Sequence, residues 1–176
     1  MSPKDEDSLV RRAQKGDREA FGMLFEVLTP KLFGYLVNTL RNRTLAEDIL
    51  QTTWLKAIEG LPRIKKRRVK MSAWLFQVAR NECRMHWRRF GRETPLGLPE
   101  HDVPGGDGQD LETAIFARQI LSLISEEDRE ILSLRYIADL TTNDIAGVLN
   151  LNLVAARVRI HRAVGRARKA FTSKTQ

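Results

Sequence analysis

The last third of the chain, TTNDIAGVLNLNLVAARVRIHRAVGRARK from Thr141 to Lys169, leaves few folds open. Thr141 and Asp144 fit a capping box, in which the hydroxyl takes an orphan backbone N–H and the carboxylate reaches back. Ile145, Ala146, Val148 and Leu149 give the short helix behind them an apolar side. Asn150-Leu151-Asn152 then interrupts it, and asparagine tolerates the left-handed conformation of a sharp turn. On the longer helix that follows, Leu153, Ala156, Ile160, Ala163, Ala167 and Ala170 recur at spacings of three and four and predict one buried stripe. Arg159, Arg162, Arg166 and Lys169 keep a similar spacing on another face, with Arg157 and His161 beside them. A capped helix, a turn and a basic helix predict a helix-turn-helix, the motif whose second helix enters the major groove of DNA. A merely solvated face mixes signs, whereas no acid follows Asp144.

Charge distribution extends the argument to the whole chain, whose formal net charge is +8. Residues 1–90 carry 19 Lys and Arg against 10 Asp and Glu, residues 91–112 carry 1 against 6, and residues 113–176 carry 10 against 6. Two basic blocks flank an acidic connector, which favours a polyanionic partner met at two surfaces. The single cysteine, Cys83, excludes an internal disulfide and reads as a buried small hydrophobe. The N-terminus MSPKDEDSLVRR lacks the apolar core of a signal peptide, and no apolar run suits a membrane span. A cytoplasmic protein without membrane insertion is therefore expected.

Residues 8–42 are helix-patterned, with a break at Gly16-Asp17 where Asp17 caps the next helix, and an interruption or restart at Pro30. Residues 44–60 open with a second capping box, Thr44 and Glu47, and predict burial of Leu45, Ile49, Leu50, Trp54 and Ile58. Taken by spacing alone, Glu47, Asp48, Gln51 and Thr52 form an ordinary solvated face. Arg63, Lys65, Lys66, Arg67, Arg68 and Lys70 then crowd into eight residues ahead of a helix from Ser72 to Phe90. On that helix Trp74, Phe76, Trp87 and Phe90 alternate with Arg80, Arg84, Arg88 and Arg89. Cations attract phosphate and aromatic faces stack unpaired bases, a pairing used on single-stranded nucleic acid. The stretch from Gly91 to Asp110, with three prolines and five glycines, is too polar to fold alone and reads as a linker. Helices resume near Leu111, and Ser125 with Asp128 caps one that should bury Ile131, Leu132, Leu134 and Tyr136. No segment has the period of a strand, so the fold is all-α.

Catalytic chemistry has no foothold. His86, His101 and His161 are scattered, one cysteine makes no zinc spacing, and no phosphate-binding glycine fingerprint occurs. No metal or cofactor site and no enzymatic activity are expected.

AQKGDREAF (13–21), AEDILQTTWLKA (46–57) and AWLFQVARN (73–81) resemble successive parts of region 2 of bacterial sigma factors, in the extracytoplasmic-function (ECF) group of the sigma-70 family. ISEEDREILSLRYIADLTTNDIAGVLNLNLVAARVRIHRAVGRARKAF (124–171) resembles region 4. The resemblance implies a region 2-like helical domain over 1–90, a linker over 91–111 and a helix-turn-helix domain over 112–176. It implies that Glu47, Asp48, Gln51 and Trp54 meet the β′ coiled coil of core RNA polymerase. The loop 62–71 with Lys65, Lys66, Arg67 and Arg68, and the helix carrying Trp74, Arg80, Asn81 and Arg84, would recognise and open the −10 element. Arg157, Val158, Arg159 and Arg162 would read the −35 element, with the apolar side of that domain on the β flap, and family members are often held by an anti-sigma partner. The alternative is a free-standing helix-turn-helix regulator that binds an operator without polymerase. Three positions depart from the family pattern. The loop before Trp74 is IKKRRVKM rather than glycine and small polar residues, Asn150 replaces a turn glycine, and Val154-Ala155 with Val158 stand where small or hydroxyl residues are common.

Overall fold

Short polar side chains decide where the helices begin. In a computed structural model that describes residues 3–63, 70–91 and 123–174, helix α1 spans Pro3–Ala13 and ends before Gly16, whose φ of +89° suits glycine alone. Asp17 caps α2 (Arg18–Leu40) by accepting the Ala20 N–H at 3.1 Å, and it also takes the Arg12 guanidinium. Pro30 does not restart α2. The helix runs straight through it, because Pro30 and Glu26 are both exposed and the carbonyl that proline cannot serve is left to water. Asn42, rather than Thr44, caps α3 (Arg43–Gly60) by accepting the Leu45 N–H at 3.0 Å. A short 3₁₀ turn, Leu61–Arg63, follows. Helix α4 (Met71–Phe90) has no cap of its own; instead buried Glu6 of α1 accepts both the N–H and the hydroxyl of Ser72, at 2.7 and 3.1 Å.

After the undescribed residues, Ser125 caps α5 (Glu126–Leu132), which widens into a π turn over Ser133–Ile137. Helix α6 (Thr142–Leu149) opens on the expected Thr141–Asp144 capping box and closes on Asn150 at φ +55°. Helix α7 (Leu153–Lys174) completes the helix-turn-helix. Every described element is helical, as expected for an all-α chain. The expected linker, apart from Gly91, and the helix expected from Leu111, apart from Leu123 and Ile124, lie outside the described residues.

The core is built on α2, whose Ala20, Leu24, Leu28, Leu32, Leu36 and Leu40 fall four apart and are all buried. Against them α3 sets Ala46, Ile49, Thr53, Trp54 and Ala57. It leaves Ile58, expected inside, 53% exposed. From α4 come Leu75, Phe76 and Ala79, with Phe76 edge-on to buried Tyr35 at 5.5 Å. The C-terminal half adds Ile131, Leu134 and Ile145 to the same continuous core. Tyr136, expected inside, is 66% exposed, because the extra residue of the π turn carries it off the apolar stripe.

The described parts of the two halves touch. They meet along a seam where Lys70 pairs with Asp144 at 2.8 Å, Arg80 with Glu130 at 2.8 Å and Lys31 with Asp139 at 3.4 Å. Gly34 of α2 passes so close to the π turn that a Cβ there would stand 2.9 Å from Ile137 Cγ2.

Candidate nucleic-acid interface

Helix α7 begins where Asn152 accepts the Ala155 N–H at 2.7 Å. It seats itself with small residues: Ala156 and Ala163 are fully buried, and Ile160, Val164, Ala167 and Ala170 pack partly on the core. The outward side presents Val154, Arg157, Val158, His161 and Arg162, all exposed. Arg157 and Arg162 make no ion pair among the described residues, so both guanidinium groups remain available to a phosphate or a base edge.

Arg159, grouped with these two by sequence, is set apart by the structure. It stands about 200° round the helix from Arg157 but on the same side as Arg162, and it reaches toward α5, where it donates to Glu127 at 2.5 Å. Arg166 does the same, gripping nearly buried Asp128 through Nε and, at 2.6 Å, through Nη2. The Arg166 hydrogen bonds hold the Asp128 carboxyl below its ordinary range. The acidic first turn of α5 thus engages two of the cations of α7.

On α4 the predicted residues also divide. Asn81 and Arg84 are exposed and, with Met85 and Arg88, line a depression of about 430 Å³. Arg80 is partly buried and donates to Glu130 of the other half. Trp74 is half-buried and lies across the end of α3, where a Cβ on Gly60 would meet its ring at 2.7 Å. It is committed to packing as much as to any base. Lys65, Lys66, Arg67 and Arg68 lie outside the described residues. A cleft of about 860 Å³ is lined by Arg80, Arg84 and Arg88 of α4 and by Glu126, Glu127 and Glu130 of α5.

Two descriptions of known families fit this architecture: "Sigma-70 region 2" over residues 24–93 and "Sigma-70, region 4" over residues 117–170. The chain belongs to the sigma-70 family. It is 26% identical to the ECF RNA polymerase sigma factor BldN of Streptomyces coelicolor over 89% of its own length and 62% of that protein's, so it spans under two thirds of BldN. It is likewise 26% identical to the RNA polymerase sigma-H factor of Pseudomonas aeruginosa, over 93% of this chain and 92% of that one. Its fold is similar to that of CnrH in a complex with the cytosolic domain of CnrY, with a TM-score of 0.71 at 24% identity over 96% of this chain and 98% of that one.

In this sigma factor the face assigned by resemblance to core polymerase lies on α3. Asp48 and Gln51 are exposed, and Glu47 is partly covered and paired with Arg43 at 2.9 Å. Trp54 does not belong to that surface. It is 5% exposed and fills the core beneath Phe21 and Phe25, with ring centroids 5.8 and 4.8 Å away. Leu55 and Ile58, 63% and 53% exposed, lie on the open side instead and continue Asp48 and Gln51 at spacings of four and three. That spacing was available in the sequence and is the signal that finds them. Helix α2 alone among the described helices is long and apolar enough to cross a bilayer, contrary to the expectation from the sequence, but its leucines form the core just described.

Proposed function

We propose that this sigma factor carries core RNA polymerase to promoters by gripping DNA with both halves, and opens the duplex without performing a chemical step itself. Acting in the cytoplasm, α3 would present Asp48, Gln51, Leu55 and Ile58 to the β′ coiled coil, and the C-terminal half would meet the β flap. Asn81, Arg84 and the cations of 65–68 would hold the −10 strand once its bases leave the stack. Capture of unstacked bases and phosphate contacts would offset an unstacking cost of a few kcal/mol per base. Arg157, Val158 and Arg162 would read the −35 duplex. Each contact alone is weak, and polymerase raises the combined affinity by fixing their spacing. Release from an anti-sigma partner would supply the signal.

The observation that carries this reading is the exposed cationic face of α7 within a helix-turn-helix, in a chain that also matches region 2. A free-standing regulator would need no region 2, so that alternative has no support. The test is to add the protein to core polymerase and a promoter library and map transcript starts. New, sequence-restricted starts are expected; their absence would sink the proposal. Within it, Arg157→Ala is expected to cost about 1–3 kcal/mol at −35 sites and to relax choice at one base pair. An equal loss on every sequence would reassign Arg157 to a phosphate.

A further inference from the structure

The centre of the α7 face is apolar, which a surface that only neutralises phosphate does not require. Val154 is 71% exposed, Val158 41% and Leu153 43%, and together with Arg162 they line a shallow depression of about 550 Å³. Val154 and Val158 stand one helical turn apart, directly over one another on the side that points away from the core. Arg157, His161 and Arg162 flank them, and no acid occurs from Asn150 to the C-terminus. A protein-docking patch of this size would sit uneasily between two arginines on a helix without acids, whereas duplex DNA offers an apolar group at the floor of an anionic groove. That group is the thymine C5 methyl, which only the major groove displays.

Resting on the −35 reading above, we infer that Val154 and Val158 are specificity-determining residues that bury the methyl groups of thymines on neighbouring base pairs of the −35 element. The contact distinguishes thymine from cytosine by shape and dryness rather than by a hydrogen bond. It tolerates Arg157 and Arg162 at either side because those long side chains reach the phosphates or base edges without crossing the valines. Val158→Ser, the kind of residue usual at this position in the resembling family, would exchange that dry contact for a polar one.

Uracil tests this directly, because it lacks the methyl while keeping every hydrogen-bonding group of thymine. The sigma factor joined to core polymerase is first given a randomised −35 duplex, and the selected sequence is resynthesised with each thymine replaced in turn by uracil. One or two positions are expected to lose about fourfold in affinity each, the conversion of about 0.8 kcal/mol per apolar carbon at 1.4 kcal/mol per tenfold. Val154→Ser and Val158→Ser should each abolish the response at one of those positions while leaving responses elsewhere intact. Because both side chains face water, thermal unfolding of the variants should match that of the parent. Equal binding to thymine and uracil at every position, or an undiminished uracil effect in both variants, would overturn the methyl contact and leave the −35 reading standing. Variants that lose polymerase but keep the uracil response would mark a protein-docking patch and overturn it too. A polymerase complex indifferent to the whole −35 sequence would instead overturn the reading beneath it.

Discussion

Helices α4 and α7 are both long, both rich in arginine, and both assigned to DNA, yet they are attached in opposite ways. Helix α4 is a core element: Leu75, Phe76, Ala79 and Cys83 are buried, Lys56 of α3 reaches its buried Glu82 at 2.6 Å, and Arg80 ties it to the other half. Helix α7 rests on alanines and on two arginine–carboxylate pairs, and leaves most of its surface to solvent. The difference teaches where sequence change is cheap. A groove-reading helix attached by small residues can vary its outward face without disturbing the fold, whereas a helix that carries both core and contact residues cannot.

The largest effect should come from cutting each helix free of its packing. Phe76→Ala removes a fully buried ring set edge-on to Tyr35 and should cost about 3–5 kcal/mol by denaturant unfolding. Ile160→Ala on half-exposed α7 should cost only about 1–2 kcal/mol, since less area leaves water there. Equal losses would mean that α7 is as much a core helix as α4, and the comparison would fail.

A smaller effect is expected at the seam that α2 and α4 share with the C-terminal half. Gly34→Leu drives a side chain into Ile137, 2.9 Å from where its Cβ must stand. Overpacking of this kind costs about 1–3 kcal/mol, and parting the halves would release Arg80 from Glu130. The solution radius of gyration should therefore grow, and reaction of the lone buried Cys83 with a thiol reagent should quicken. Burial now pushes that thiol up to about 12, which keeps it protonated and slow near pH 8. An unchanged radius would show that the seam yields locally instead of opening.

These contrasts also explain what could be read from the residues alone. The Thr141–Asp144 box, the Asn150 turn and the start of α2 at Asp17 were legible because capping is local chemistry, settled within three or four positions. Periodicity places Trp54 inside, where it lies, but puts Ile58, Tyr136 and Leu153 there too, because their exposure depends on which neighbour arrives, and on a π turn that no periodicity announces. Arg159 and Arg80 were assigned to DNA because spacing shows that a cation is on a surface, but not that Glu127 or Glu130 waits opposite. Long-range pairs between 50 residues or more, such as Arg80–Glu130 or Glu6–Ser72, leave no trace in any local pattern.

The finest test separates electrostatic from apolar attachment of α7. The Arg166 hydrogen bonds depress the Asp128 carboxyl below its ordinary value of 3.8, so the folded protein holds that proton less tightly than the unfolded chain does. Its contribution is thus present in full above the usual carboxylate range and is lost as pH falls through it. Asp128→Asn should cost about 1–2 kcal/mol at pH 7, a figure kept low because the Arg166 side chain is 53% exposed and screened by water. The loss should shrink at acid pH, below the depressed value at which the parent carboxyl itself takes up a proton. Denaturant curves of parent and variant at pH 7 and in acid give the comparison. If the gap between them stays the same in acid, Asp128 holds α7 by shape and hydrogen bonding rather than by charge, and the two helices differ less in kind than in the area they bury.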